Sequence, residues 1–146
     1  SLIAKRLGAV HFAMCATPSY LGAYGRPKKP ADLSRHECIR RLGPVPESTW
    51  PLVSRTGRKV AAPIGGRLEC SDARLQTEIL YGGFGIGLRP AAEVRRAAKA
   101  GVLETVLPSF SLEPVPVSLV GPKGRFRLPR VMRVVDLLGR VIASLA

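Results

Sequence analysis

The sequence predicts an α/β fold with a largely parallel sheet. Segments of strand character alternate with helical ones along the chain. Residues 66–90 read as one strand–helix–strand unit, and residues 128–145 repeat apolar side chains at helical spacing.

Taken in order, residues 9–16 are mostly apolar and read as a buried strand. Thr17 ahead of Pro18 makes an N-cap and a first helical position, with Gly25 as the stop. Residues 26–30, rich in Pro and Lys, form a loop, 31–35 a helical turn and 37–42 a strand. Gly43-Pro44-Val45-Pro46 breaks the chain. Strands follow at 49–53 and 59–64, joined by a turn at Thr56-Gly57. In the central unit, 67–70 alternate polar and apolar as a short strand does. Ser71 is the expected N-cap, Asp72 puts a carboxylate in the first turn, and Leu75 and Ile79 share one helical face. Gly82-Gly83 offers a left-handed stop. Residues 84–88 form a buried strand whose Gly85 and Gly87 admit close approach of another backbone. Pro90 opens a helix ended by Gly101. A strand at 102–107, a loop at 108–114 and a last strand at 115–120 precede the final helix. Its stripe is Val131, Val134, Val135, Leu138, Val141, Ile142 and Leu145.

The length of 146 residues fits one domain, and 46% hydrophobic with 23% charged residues is ordinary for a soluble protein. No run reaches the 18 or so apolar residues of a membrane span, so no membrane partner is expected. Residues 1–6 lack the apolar core of a signal peptide, and the absent initiator Met points to a fragment or processed chain. Cys15, Cys38 and Cys70 have no metal-site spacing and read as reduced thiols of a cytosolic protein. The net charge of +13 invites a nucleic-acid reading. Aromatic content of 5% leaves no base-stacking platform, however, and the basic residues of 26–41 and 123–140 read as solvated faces. The 82–87 glycine run follows a helix and enters a strand, the reverse of a dinucleotide-binding turn, and no cofactor is expected. His11 and His36 have no nucleophile or carboxylate at diagnostic spacing and read as structural histidines. Asp32 and Glu37 are explained by a helical turn and a strand start, so no enzyme chemistry is expected.

Several motifs carry a family resemblance. Gly66-Arg67-Leu68, Ser71-Asp72 and the run from Gly82 to Pro90 resemble the effector-binding domain of LysR-type bacterial transcriptional regulators. Cys15 to Leu21, Pro30-Ala31-Asp32-Leu33 with His36 and Cys38, and Leu128-Pro129-Arg130-Val131 are similar to further family segments in the same order. Arg89 departs from the pattern, which has an apolar residue there. The resemblance implies a two-lobed, periplasmic-binding-protein-like (type 2) fold. The second lobe would be complete at 17–117, with first-lobe pieces at 1–16 and 118–146, and hinge passages near 14–16 and 115–119. It further implies a cytoplasmic homodimer or homotetramer that binds a small, anionic effector. DNA would be contacted only through an amino-terminal winged helix-turn-helix absent from this chain. A solute-binding protein of a transport system shares the lobed architecture and is the alternative.

Five residues are the candidate effector site: Thr17, Ser71, Asp72, Arg89 and Pro90. The helix amides after Ser71, with its hydroxyl, can hold a carboxylate, although ordinary capping explains the same residues. Arg89 ends a strand where the cleft opens and offers a fork of donors to an anion. Trp50, the sole tryptophan, is expected to pack under strands rather than against a ligand.

Overall fold

The computed structural model describes residues Ser1–Ala146. In chain order the elements are β1 (Leu2–Val10), β2 (Phe12–Ala16), α1 (Pro18–Tyr24), a 3-10 turn (Pro30–Arg35), β3 (Arg40–Arg41), β4 (Thr49–Ser54), β5 (Lys59–Pro63) and β6 (Glu69–Cys70). Then come α2 (Ala73–Tyr81), β7 (Gly87–Pro90), α3 (Ala91–Lys99), β8 (Glu104–Thr105), β9 (Phe110–Leu112), β10 (Val115–Pro122), a second 3-10 turn (Lys123–Arg127) and α4 (Pro129–Ala143).

The main sheet has the order β6-β3-β7-β2-β8. Strands β3 and β6 pair in parallel, and β2 pairs antiparallel with both β7 and β8. A parallel bridge between Cys38 and Ile86 joins the two groups, with Ile39 N–H donating to Ile86 O and Ile86 N–H to Glu37 O, both at 2.8 Å. Four strands therefore run one way and β2 the other, in keeping with the expected parallel character. The remaining pairings are antiparallel: a β5-β4-β9 sheet and a β1-β10 ribbon.

Strand β2 alternates between two cores, as the period of two requires. Met14 and Ala16 face a cluster with Tyr20, Leu21, Leu33, Trp50, Leu52 and Ile86, roofed by α1 and the β4 sheet. Cys15 faces the other side, with Ile39, Leu80, Val94 and Leu103 beneath α2 and α3. Trp50 is buried in the first cluster, as expected of a packing residue.

Two close approaches explain the glycines of the central unit. A Cβ on Gly85 would lie 2.3 Å from Glu37 O, and one on Gly66, where φ is +114°, would lie 2.8 Å from Cys38 N. Only glycine lets β3 meet β7 and the loop before β6 at these distances.

The structure departs from expectation at several elements. The strand expected at 9–16 is broken at His11, because β1 pairs with β10 whereas β2 pairs with β7. The chain also changes sheets between Leu112 and Val115. His11, read as a structural histidine, has an exposed side chain, and its backbone carbonyl accepts the Ala91 N–H at 2.8 Å. The expected loop at 108–114 contains β9, which completes the β4 sheet. The strands expected at 37–42 and 102–107 shorten to two residues each. Phe84 is exposed and lies over Gly82 rather than starting a buried strand. Of the α4 stripe only Val135 and Ile142 are buried, because α4 packs on one narrow ribbon. No helix is long and apolar enough to cross a membrane.

Candidate functional site

The carboxyl ends of parallel strands, where helices begin, are where open α/β sheets take ligands. Here β6 runs into α2 at Ser71-Asp72, and β7 runs into α3 at Pro90. The two turns form the same edge of the main sheet.

The β6–α2 turn is fixed from within. The Asp72 N–H donates to Cys70 Sγ at 3.3 Å, and the thiol donates to Asp72 O at 3.4 Å. Gln76 Nε2 donates to Cys70 O. The N-cap is Asp72, whose Oδ1 accepts the Leu75 N–H at 2.9 Å. This corrects the assignment of Ser71 as cap by one position: the carboxylate reaches the third helical amide, which leaves Ser71 outside the helix. The Ser71 side chain is exposed. Because a carboxylate of the protein occupies the start of α2, the helix terminus itself is not free for an anion.

At the neighbouring turn Pro90 is the N-cap of α3 rather than its first helical residue. Arg89 points between α2 and α3. Its Nε donates to Glu93 Oε2 at 3.0 Å and its Nη1 to Thr77 Oγ1 at 3.0 Å, while Nη2 stands 2.8 Å from Glu93 Oε2 in the ion pair. The hydrogen bonds use two of the five guanidinium N–H groups and leave one on Nη1 and both on Nη2. The Thr77 hydroxyl donates to Ala73 O at 2.8 Å, so the arginine is tied to the first turn of α2. The Tyr81 hydroxyl donates to Glu93 Oε1 at 2.9 Å. Burial would raise the Glu93 carboxyl, but hydrogen bonds from Arg89 and Tyr81 outweigh it and hold the group below the usual carboxylate range. Tyr81 is pushed up to about 12 by burial and by its bond to that carboxylate. Sequence reasoning found Arg89 and missed Glu93, Thr77 and Tyr81. The four-residue spacing of Arg89 and Glu93 was the available signal, and the strand-to-helix boundary between them hid it.

Thr17 is placed elsewhere. It caps α1, accepting the Tyr20 N–H at 3.2 Å, and is buried. Its Oγ1 lies 3.1 Å from a Cβ built on Gly83, beyond the far end of α2. Nine helical residues, about 13 Å, separate that end from Asp72. The structure thus groups Ser71, Asp72, Arg89 and Pro90 and leaves Thr17 apart.

Two concavities lie away from this edge. One, of about 430 Å³, runs between β1 and α4 beside Lys5, Arg6, Asp136 and Arg140. The second, of about 340 Å³, sits at Tyr24, Arg26, Asp32, Arg35 and His36. There the Tyr20 hydroxyl accepts the Glu37 N–H at 3.0 Å and shares a hydrogen bond with His36 Nδ1, also at 3.0 Å. Burial pulls the His36 imidazole below its ordinary range. The three cysteines are free and buried; burial pushes Cys15 and Cys38 up to about 12, which keeps them as thiols. No group of three or more His, Cys, Asp or Glu residues is placed to hold a metal ion.

Comparison with known proteins agrees with this architecture. The model of the LysR substrate binding domain family matches residues 1–143. The HTH-type transcriptional activator AaeR of Escherichia coli is 35% identical over 117 residues, covering 80% of this chain and 38% of that protein. The uncharacterized HTH-type transcriptional regulator YhjC of the same species is 33% identical over 144 residues, covering 97% of this chain and 48% of that protein. Among solved structures, the full-length Vibrio cholerae virulence activator AphB superposes with a TM-score of 0.74 at 25% identity, covering 97% of this chain and 48% of that one. The regulatory domain of CrgA from Neisseria meningitidis gives 0.75 at 22% identity, covering 97% of this chain and 69% of that one, a likeness of fold alone. The chain spans less than half the length of the curated relatives quoted, and those relatives are transcriptional regulators. The fold is the periplasmic-binding-protein-like type 2 class of LysR regulatory domains. With nearly its whole length matched by one model, the chain belongs to the LysR substrate-binding domain family.

Proposed function

We propose that this chain is the effector-sensing part of a LysR-type transcription factor and binds a small, anionic metabolite in a groove between two lobes. We take the second lobe as 12–112 rather than 17–117, with 1–10 and 115–146 in the first, because β2 pairs with β7 and β8 whereas residues 115–117 pair with β1. The two changes of sheet partner, at His11 and before Val115, support such a hinge. Ser71, Asp72, Arg89 and Pro90 line the groove; Thr17, which caps α1 and is buried near the other end of α2, lies outside it. Since Asp72 already fills the start of α2, the effector's negative group is met by the remaining Arg89 N–H donors and the Ser71 hydroxyl. Binding shifts an open–closed equilibrium and reorients partner subunits of a cytoplasmic homodimer or homotetramer. DNA is contacted through a winged helix-turn-helix outside this chain. The observation that carries the reading is that two strand-to-helix turns open on one sheet edge, with a partly exposed arginine at the second. The test is a melting-temperature screen of the chain against small organic acids. A stabilising acid whose effect disappears in Arg89→Ala is expected; no stabilisation by any acid would contradict the proposal.

A further inference from the structure

The groove reading leaves Glu93 without a role, although it is the acidic group nearest the proposed anion receptor. Its two oxygens do different things. Oε2 accepts the Arg89 Nε–H and forms the ion pair with Nη2, whereas Oε1 is anchored by the Tyr81 hydroxyl from the last turn of α2. The carboxylate is therefore held in place independently of the arginine. Both partners are only partly solvated, with side chains 27% and 23% exposed, so their charges are less screened than those of a surface pair. Arg89 in turn is fixed on its third side by Thr77. The guanidinium is thus held from both helices, and three of its five N–H groups make no hydrogen bond within the chain.

We propose, resting on the groove reading, that Glu93 is a positioning residue that orients Arg89 for the effector and competes with the effector's negative group for it. The Glu93–Arg89 pair then sets how tightly the groove takes an anion. A guanidinium that already faces a carboxylate gains less from a second one, so the protein keeps a receptor of fixed geometry and moderate affinity. The sign is distinctive. A purely structural carboxylate, once neutralised, would leave anion binding unchanged or weaker, whereas a competing one, once neutralised, strengthens it.

The experiment follows the Arg89 Nε–H signal of the isotopically labelled chain by NMR during titration with sodium acetate, against sodium chloride at matched ionic strength. Glu93→Gln keeps the acceptor for Arg89 and removes the charge. It should bind acetate about threefold more tightly than the parent, the scale that a partly exposed ion pair supports. If that variant unfolds, Glu93→Asp, which withdraws the charge by one methylene, should change the affinity in the same direction. Parent binding with unchanged or weaker affinity in the variants overturns the role of Glu93 and leaves the groove standing. An Arg89 signal that acetate moves in neither parent nor variant overturns the groove reading and this inference with it.

Discussion

Replacing Gly85 by Ala tests whether the two halves of the main sheet are joined as described. The new methyl carbon would stand 2.3 Å from Glu37 O and 3.2 Å from its carbonyl carbon, both backbone atoms that cannot swing aside. The strands must separate, and the separation falls on the parallel bridge, where Ile86 N–H donates to Glu37 O and Ile39 N–H to Ile86 O. Overpacking costs about 1–3 kcal/mol. Weakening two buried hydrogen bonds adds about 1–2 kcal/mol. The smaller entropy of an unfolded chain bearing Ala offsets about 0.4–1 kcal/mol. The net expectation is a loss of about 3 kcal/mol, or roughly 6–12 °C of melting temperature for a chain of this size. Thermal unfolding followed by circular dichroism measures it. A melting temperature within 2 °C or so of the parent, a shift worth under about 1 kcal/mol, would refute the close approach.

Other perturbations separate structural from ligand-facing groups. Asp72→Ala removes the cap on Leu75 and should cost about 1 kcal/mol in urea unfolding, whereas Ser71→Ala should stay within about 0.5 kcal/mol; equal losses would return the cap to Ser71. Tyr20→Phe strands the Glu37 N–H and His36 Nδ1 and should cost about 1–3 kcal/mol; a neutral substitution would remove the shared hydroxyl from the account. His36 sits below its ordinary range when folded, so its contribution is present above the unfolded value near 6.5 and is lost as pH falls through the lower folded value. An NMR titration of its ring protons placing the midpoint above the unfolded value would reverse that sign. Glu93, also lowered, contributes above the ordinary carboxylate range and loses that contribution on acidification below it. Glu93→Gln should therefore flatten the acid limb of stability against pH, and an unchanged limb would contradict the Arg89–Glu93 pairing.

Much of this architecture was legible in the residues because the signals are local. Thr17-Pro18 and Gly25 bound α1, the Gly101 stop ends α3, and the glycines of 82–87 mark real constraints, with Gly83 at φ +82°. What escaped was decided by distant partners. His11 interrupts an apolar run because the two sides pair with different strands, a choice that no window around His11 contains. β9 exists because β4 has an edge to fill. The cap moved from Ser71 to Asp72 because both residue types suit the position and only the dihedral angles separate them. At the candidate site, strand direction placed Ser71 and Arg89 on one edge, but the pairing of Arg89 with Glu93 and Thr77 arises from two helices converging on a strand end.

Backbone amide chemical shifts of the labelled chain, recorded with and without an organic acid that raises its melting temperature, address the sensing proposal most directly. The expected perturbations centre on Ser71, Asp72, Arg89 and Ala91 and leave Thr17 and the His36 corner unmoved. Perturbations centred on Tyr24 to His36, or on the face between β1 and α4, would place the ligand elsewhere and contradict the groove.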